Sequence, residues 1–327
     1  MRKGNDKMKK YLLPPTNQYK GNMHSHSTYS DGKYTVEELK EAYKARGYSV
    51  FAYSDHDTVI DHSDLNDENF LTITSAEIAF NAPGDSSFFQ GRVSCHFNVF
   101  SKDPHNFKKI DYRGTPFSFD TINPILREYA ENGYLVSINH PNWSLLTEEE
   151  FLKYDDCVMG MEVTNCITCN YGGALSYSYD LYINALRNGK RWIALGGDDN
   201  HSFNKPFEHP LNDSFGSFTY FCADKLEYGA IIEAMEKGNC YCSQGPQITE
   251  LYIEDGKAYV KTADEVKQIS VMGDTRFARA TYTPDGSPVK EACFEIPMDR
   301  INFLVFNIVG TDGTRANTRA YYKGEDF

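Results

Sequence analysis

The sequence predicts an α/β chain that ends in a small all-β region, and three observations carry that prediction. Strand-like and helix-like segments alternate over the first two thirds of the 327 residues. After Ser243-Gln-Gly-Pro246 the pattern changes to short alternating runs parted by Asp255-Gly256, Asp285-Gly286 and Asp312-Gly313, which are turn signals. Six of the nine histidines (24, 26, 56, 96, 140 and 201) fall at or near the ends of strand-like runs, and none lies beyond residue 243. Repeated strand–helix units imply a mainly parallel sheet covered by helices, and seven or so such units suit a closed or distorted barrel better than an open sheet. The tail reads as a sandwich.

The elements follow in order. A short extended run ends at Gly21-Asn22-Met23. Thr35 then opens a helix, with Glu38 completing a capping box, Gly47 as the stop and Val36, Leu39, Ala42 and Tyr43 as its apolar face. Residues 49–54, 71–76 and 93–100 read as strands. Residues 121–132 read as a helix stopped by Gly133, with Pro124 tolerated in its first turn. A strand over 134–139 precedes a second capping box at Thr147-Glu-Glu-Glu150. Strands over 158–164 and 191–195 flank a helix over 179–188, and a strand over 218–223 leads into a helix over 224–237 closed by Gly238. Beyond 248 the alternating runs cover 250–253, 258–262, 268–272, 278–283, 292–296, 302–309 and 316–322. The domain reading is an extension over 1–19, a first domain over 20–242 and a β-rich domain over 243–327.

Composition narrows the function classes. Thirty-three basic and 46 acidic side chains leave a net charge of −13, which argues against a nucleic-acid coat or an anionic-membrane binder. No apolar run approaches the ~20 residues of a membrane span. Leu12-Leu13-Pro14-Pro15 is too short for a signal-peptide core, so the expected compartment is the cytoplasm. The eight cysteines are then expected as free thiols. Cys166-Ile-Thr-Cys169 has the spacing of half a zinc site, but no second Cys-x-x-Cys completes it.

The histidines and their acidic neighbours carry the chemistry. In His24-Ser25-His26 the two imidazoles sit at i and i+2 of an extended segment, so both can reach one metal. Ser30-Asp31-Gly32 adds a carboxylate in the same loop. Asp55-His56-Asp57 sets an imidazole between two carboxylates, one of which could orient the ring. Glu77 ends a strand inside an apolar stretch, where a carboxylate needs a cation and has two oxygens with which to bridge two of them. His96 lies in the strand Cys95-His96-Phe97, His140 precedes Pro141, and Asp199-Asn-His201 leaves a strand through Gly196-Gly197 as another i, i+2 pair. Gathering these groups on one rim without cations would leave buried charges unpaired, so a multinuclear metal centre is expected.

This ordered set of His24-x-His26, Asp31, Asp55-His56, Glu77, His96, His140 and Asp199-x-His201 resembles the PHP (polymerase and histidinol phosphatase) superfamily of metal-dependent phosphoesterases over roughly residues 20–242. The resemblance implies a distorted (β/α)7 barrel with a trinuclear site. It implies that His24, His26, Glu77 and Asp199 hold a first metal, that Glu77 bridges to a second held by His96 and His140, and that Asp31, His56 and His201 hold a third. Many family members carry histidine where this chain has Asp31. The junction Gly238–Pro246, the β-rich tail, Cys95-His96-Phe97-Asn98 and Gly160-Met-Glu162-Val-Thr-Asn165 look like the two-domain branch labelled carbaryl-hydrolase-like.

The expected function is hydrolysis of a small phosphate ester at two to three divalent ions (manganese, zinc or iron), with a metal-bridged hydroxide as nucleophile. His201 or Asp57 is the expected proton-transfer residue. Among Lys102, Lys108, Lys109, Arg113 and Lys205, the last, with Arg113, is the expected phosphate-binding cation. Tyr29, Tyr53, Trp143 and Tyr171 lie near ligand loops and are read as shaping the pocket. The alternative is a carboxylic or carbamic ester hydrolase using the same metals, and a third reading is a non-catalytic metal-binding module. With no basic stripe and interleaved aromatics, polymeric nucleic acid is not an expected substrate.

Overall fold

The computed structural model describes residues 9–81, 94–112, 115, 118–167, 176–203 and 205–327. Strand β1 (Lys10–Tyr11) is followed by β2 (Asn17–Asn22), helix α1 (Val36–Lys44), β3 (Val50–Tyr53), β4 (Leu71–Asn81) and β5 (Ser94–Ser101). Then come α2 (Phe119–Glu131), β6 (Tyr134–Ile138), α3 (Glu148–Phe151), β7 (Val158–Asn165), α4 (Tyr179–Arg187), β8 (Ile193–Gly197), β9 (Phe218–Ala223) and α5 (Tyr228–Glu236). Helix α1 starts where its capping box requires: Glu38 N–H donates to Thr35 Oγ1 at 3.3 Å and Thr35 N–H to Glu38 Oε2 at 2.9 Å. Its Val36, Leu39 and Tyr43 are buried against Phe51, Tyr53 and Phe218. Helix α2 begins two residues earlier than the sequence suggests. Pro124 therefore lies in its second turn, where its missing N–H leaves one intrahelical bond unmade.

The architecture is mixed α/β and richer in sheet than the alternation implies, with five α-helices among the described residues, one of them only four residues long. Strand β2 pairs in parallel with β3 and β3 with β4, and β6, β7 and β8 are likewise parallel. Strand β5 is reversed, running antiparallel to both β4 and β6. No helical pattern separates β4 from β5 in sequence, and adjacent strands joined without a crossover pair antiparallel. The reversal brings His96, near the start of β5, opposite Ala79 and onto the rim where its neighbours have their ends. From β8 the pairing returns to the exit of β2. Ser25 and Asn200 form a parallel bridge, with Asp199 N–H donating to His24 O at 2.9 Å and His26 N–H to Asn200 O at 3.1 Å.

The remaining strands are β10 (Cys240–Ser243), β11 (Ile248–Glu254), β12 (Lys257–Gly273), β13 (Ala278–Ala280), β14 (Val289–Glu295), β15 (Phe303–Gly310), β16 (Arg315–Thr318) and β17 (Tyr321–Tyr322). The two runs read at 258–262 and 268–272 are one strand, β12. Its first half pairs with β11 and β14, and its second half with β13 and β15 across a register shift between Lys261 and Val266. Strand β10 is antiparallel to β9 on one side and to β16 on the other, so the sheet runs on through residue 243. The N-terminal segment packs on this last part of the chain. Strand β1 pairs with β11, and Leu12 and Leu13 are buried beside Leu251, Phe306 and Phe327. No disulfide joins two of the seven described cysteines, Cys169 lies outside the described residues, and among the described residues no helix is long and apolar enough to cross a membrane.

Candidate metal centre

The site is built where β2, β4, β5, β6 and β8 turn toward one rim. His24 and His26 continue β2 in extended form, and the loop after them is tied back by Asp55, which accepts from Ser27 N–H (2.8 Å), Ser27 Oγ (2.7 Å) and Ser30 Oγ (2.6 Å). Gly32 closes that loop against the backbone of His26, whose carbonyl oxygen would lie 2.1 Å from any Cβ added there. Gly197 serves the facing strand in the same way, since a Cβ would meet His24 Cβ at 2.6 Å. Asp57, His140 and Asp199 take left-handed φ values of 56°, 26° and 54°, strain of ~1–3 kcal/mol each that the surrounding hydrogen bonds must hold.

Three groups of donor atoms result: His24, His26, Glu77 and Asp199; Glu77, His96 and His140; and His26, Asp31, His56 and His201. Glu77 joins the first two and His26 joins the first and third. One Glu77 oxygen lies 3.3 Å from His24 Nε2, 3.0 Å from His96 Nδ1 and 3.3 Å from His140 Nε2. The other lies 3.3 Å from His26 Nε2 and 3.2 Å from His56 Nδ1. His24 and His26 turn their Nε2 atoms to within 3.2 Å of each other, and Asp199 Oδ1 is 3.2 and 3.1 Å from them. His201 Nε2 meets Asp31 Oδ1 at 3.3 Å.

This donor chemistry fits cations. His24 Nδ1 lies 2.8 Å from Glu162 Oε1, and His201 Nδ1 lies 2.9 Å from the Asp199 carbonyl. Donation of those N–H groups outward fixes the tautomers and leaves each Nε2 lone pair facing inward onto carboxylates and another imidazole, the arrangement that metal-binding histidines take. A cation is the partner that satisfies such converging lone pairs in sites as buried as His24, His26 and Glu77. All-nitrogen-and-oxygen donors of this kind suit manganese, iron or zinc.

In the metal-free chain, protons take the cations' part. Burial alone would lower His24 and His26, but Asp199, Glu77 and, for His24, Glu162 outweigh it. His26 is raised to about 9 and His24 well above its ordinary value. Burial opposes ionisation of Asp31 as well, yet His201, His26 and His56 hold it down to about 2. The stabilisation from His26 is complete below its ordinary 6.5 and is lost as pH rises through about 9; that from Asp31 is present above 3.8 and is lost as pH falls through about 2. Lys20, which burial lowers to about 8, works the opposite way above that pH but is one group against two. The melting temperature of metal-free protein is thus expected to fall between pH 6.5 and 9. That of protein loaded with manganese should hold or rise, because only deprotonated imidazoles ligate. Parallel curves in a thermal-shift series would contradict this.

The fold brings all nine sequence-predicted ligands together: His24, His26, Asp31, His56, Glu77, His96, His140, Asp199 and His201. Among the other described candidates, Trp143 alone joins them in the cavity lining. Asp57 accepts from Tyr112 OH, and Asp55 accepts from the Ser27–Ser30 loop. Lys205 is absent from the cavity lining, Lys102 pairs with Glu236 at 2.6 Å, Lys108 reaches Asn132 at 2.6 Å, and Arg113 lies outside the described residues, as does Tyr171. Tyr53 is a core residue that donates to Val36 O, and Tyr29 rests on His62, leaving Trp143 as the tyrosine-or-tryptophan wall of the cavity among the described residues.

Sequence reasoning missed the supports. Glu162 also accepts from His140 N–H at 2.9 Å and Asn165 Nδ2 at 3.0 Å, and Asn139 Nδ2 donates to Glu77 at 2.8 Å. Asp198, pushed up to about 7 by burial against the pull of Tyr43 and three backbone N–H groups, ties residues 215–217 to the exit of β8. A carboxylate inside the apolar run 158–164 was the available signal for Glu162, the same signal that marked Glu77. Glu162→Gln is expected to weaken metal binding ~10–100-fold with the fold intact, checked by competition with a chelating dye. Tyr177 steadies the rim from the far side. Its carbonyl accepts from Asn142 at 2.9 Å, its hydroxyl donates to Asn317 at 3.2 Å, and Arg315 lies over its ring.

Fold and site together define a mixed α/β protein with clustered histidine and carboxylate side chains, most of them buried, that could hold metal ions. No protein-family model matches the sequence, and no curated protein does. Among solved structures the chain is similar, at 16% identity and a TM-score of 0.49, to a two-domain protein containing a predicted PHP-like metal-dependent phosphoesterase from Bacteroides vulgatus, over 99% of this chain and 92% of that one. It is also similar, at 15% identity and a TM-score of 0.41, to an amidohydrolase from Chromobacterium violaceum, over 58% of this chain and 89% of that one.

Proposed function

We propose that the chain is a metal-dependent hydrolase of a small ester, a phosphoesterase working at a trinuclear site, with residues 20–242 supplying the chemistry and the cytoplasm as its compartment. The observation that carries this reading is the sharing of buried Glu77 and His26 among three donor groups beneath a cavity of about 270 Å³. His24, His26, Glu77 and Asp199 would hold one ion, Glu77, His96 and His140 a second, and Asp31, His56 and His201 a third. Divalent cations there supply Lewis acidity, lowering the pKa of water and offsetting charge on the ester oxygens. The protein's own part is to fix that geometry, to keep Asp31 charged at the half-open mouth, and to exclude bulk water from Glu77 and Asp199. Of the two proton-transfer candidates, His201 lines the cavity and Asp57 does not; with its Nδ1 held by the Asp199 carbonyl, His201 would serve that step through Nε2 only where it is not holding the third ion.

One observation favours the carboxylic or carbamic ester as second reading: among the described residues no lysine or arginine lines the cavity, and a phosphate dianion usually gains one. A screen of phosphomonoesters, phosphodiesters and carboxyl esters with added manganese or zinc decides. Turnover of p-nitrophenyl phosphate that a chelator abolishes is the expected result, carboxyl-ester turnover alone would select the second reading, and no turnover of any ester would overturn both. The carbaryl-hydrolase-like label of the two-domain branch is consistent with either chemistry.

A further inference from the structure

Among the described residues, those that line the cavity without belonging to any donor group are Trp143, Ile167 and Phe203, and apart from the Trp143 indole N–H all three side chains are apolar. They are not scattered. Trp143 stands beside the Glu77–His96–His140 group, its ring 5.0 Å from that of His140 and 5.9 Å from that of His96. Phe203 stands beside the Asp31–His56–His201 group, stacked on His201 at 4.8 Å with 29° between planes. Two aromatic rings therefore close the two ends of the row of donors, and Phe203 remains 47% exposed. The other polar groups in the lining are the metal-binding side chains themselves, so a charged or hydroxyl-rich substituent finds no dedicated partner there beyond the Trp143 N–H among the described residues. A flat apolar group does, because it removes the exposed face of Phe203 from water and meets the Trp143 ring. The size agrees with a small ligand: about 270 Å³ lies just under the ~300–1,000 Å³ usual for small-molecule sites.

Resting on the hydrolase reading of this site, we infer that its substrate is an ester bearing a single aromatic ring next to the scissile bond, and that Trp143 and Phe203 are the specificity-determining walls that hold the ring. The test compares benzylphosphonate with methylphosphonate, neither of which has an ester bond to cleave, by titration calorimetry on manganese-loaded protein. Benzyl and methyl phosphate, whose alcohols are similarly basic leaving groups, are compared in turnover alongside. Burying one ring should make the benzyl ligand at least ~10-fold tighter for the native chain, and lower KM more than it raises kcat. In Trp143→Ala and Phe203→Ala, and in the gentler Phe203→Leu, the benzyl-over-methyl preference should shrink below ~3-fold, a ratio from which any loss common to both ligands cancels. Equal affinity of the native chain for both phosphonates overturns this inference and leaves the hydrolase reading standing on ester turnover. Failure to bind either phosphonate together with failure to hydrolyse any ester overturns both.

Discussion

Glu77→Gln is expected to strip the chain of most of its bound metal and to cut ester turnover by roughly a thousandfold or more, the size of losing several kcal/mol of charge stabilisation. The reason is position. Each Glu77 oxygen faces a different pair or trio of imidazoles, and the side chain is 1% exposed, so no water can replace it cheaply. The amide keeps the shape and removes the charge, so His24 keeps only Asp199 and Glu162, and His26 only Asp199, as close carboxylates buried beside them. Metal analysis and circular dichroism on the same sample separate the two effects: metal lost with the fold kept is the expected pair of results. Native metal content in the variant would show that Glu77 is not a shared ligand.

Gly32→Ala is the second large effect. The added methyl would sit 2.1 Å from the His26 carbonyl oxygen, 2.3 Å from its carbon and 2.7 Å from Ser27 N, all backbone atoms that no side-chain rotation can move. The loop must open, at an overpacking cost of about 1–3 kcal/mol, and in opening it carries Asp31 away from His201 and His56. The expected outcome is a folded protein with a lowered melting temperature that binds fewer metal ions, the loss falling on the group of Asp31, His56 and His201. An unaltered metal count would mean that Asp31 is not needed to hold an ion.

The ligands were legible as an ordered set, whose grouping into three came from the family resemblance, and some of them advertise themselves locally. A histidine pair two apart at a strand end, or a glutamate in the middle of an apolar run, is costly unless something binds it, and that cost can be read from a few neighbouring letters. What surrounds the ligands was not legible. Whether Asp55 orients His56 or ties the Ser27–Ser30 loop depends on which way an adjacent side chain points, and Glu162 meets His24 only because the pairings between them, set residues apart, bring the two together. The reversal of β5 is likewise a property of pairing, as is the continuity of β10 with β9 and β16, which a change of sequence texture at 243 conceals. Pro124 was placed in a first turn because the helix start at Phe119 carries no side-chain cap to mark it.

The grip of Tyr177 has a consequence for how this chain can change over generations. One residue clasps the loop that carries His140 and Trp143 while its hydroxyl is held by Asn317 and its ring by Arg315, both close to the C-terminal end. A gene fusion that exchanged the final segment for an unrelated one would therefore not deliver the same site with a new attachment. It would deliver a site whose rim had lost an outside brace, so substitutions in the two parts are expected to depend on one another.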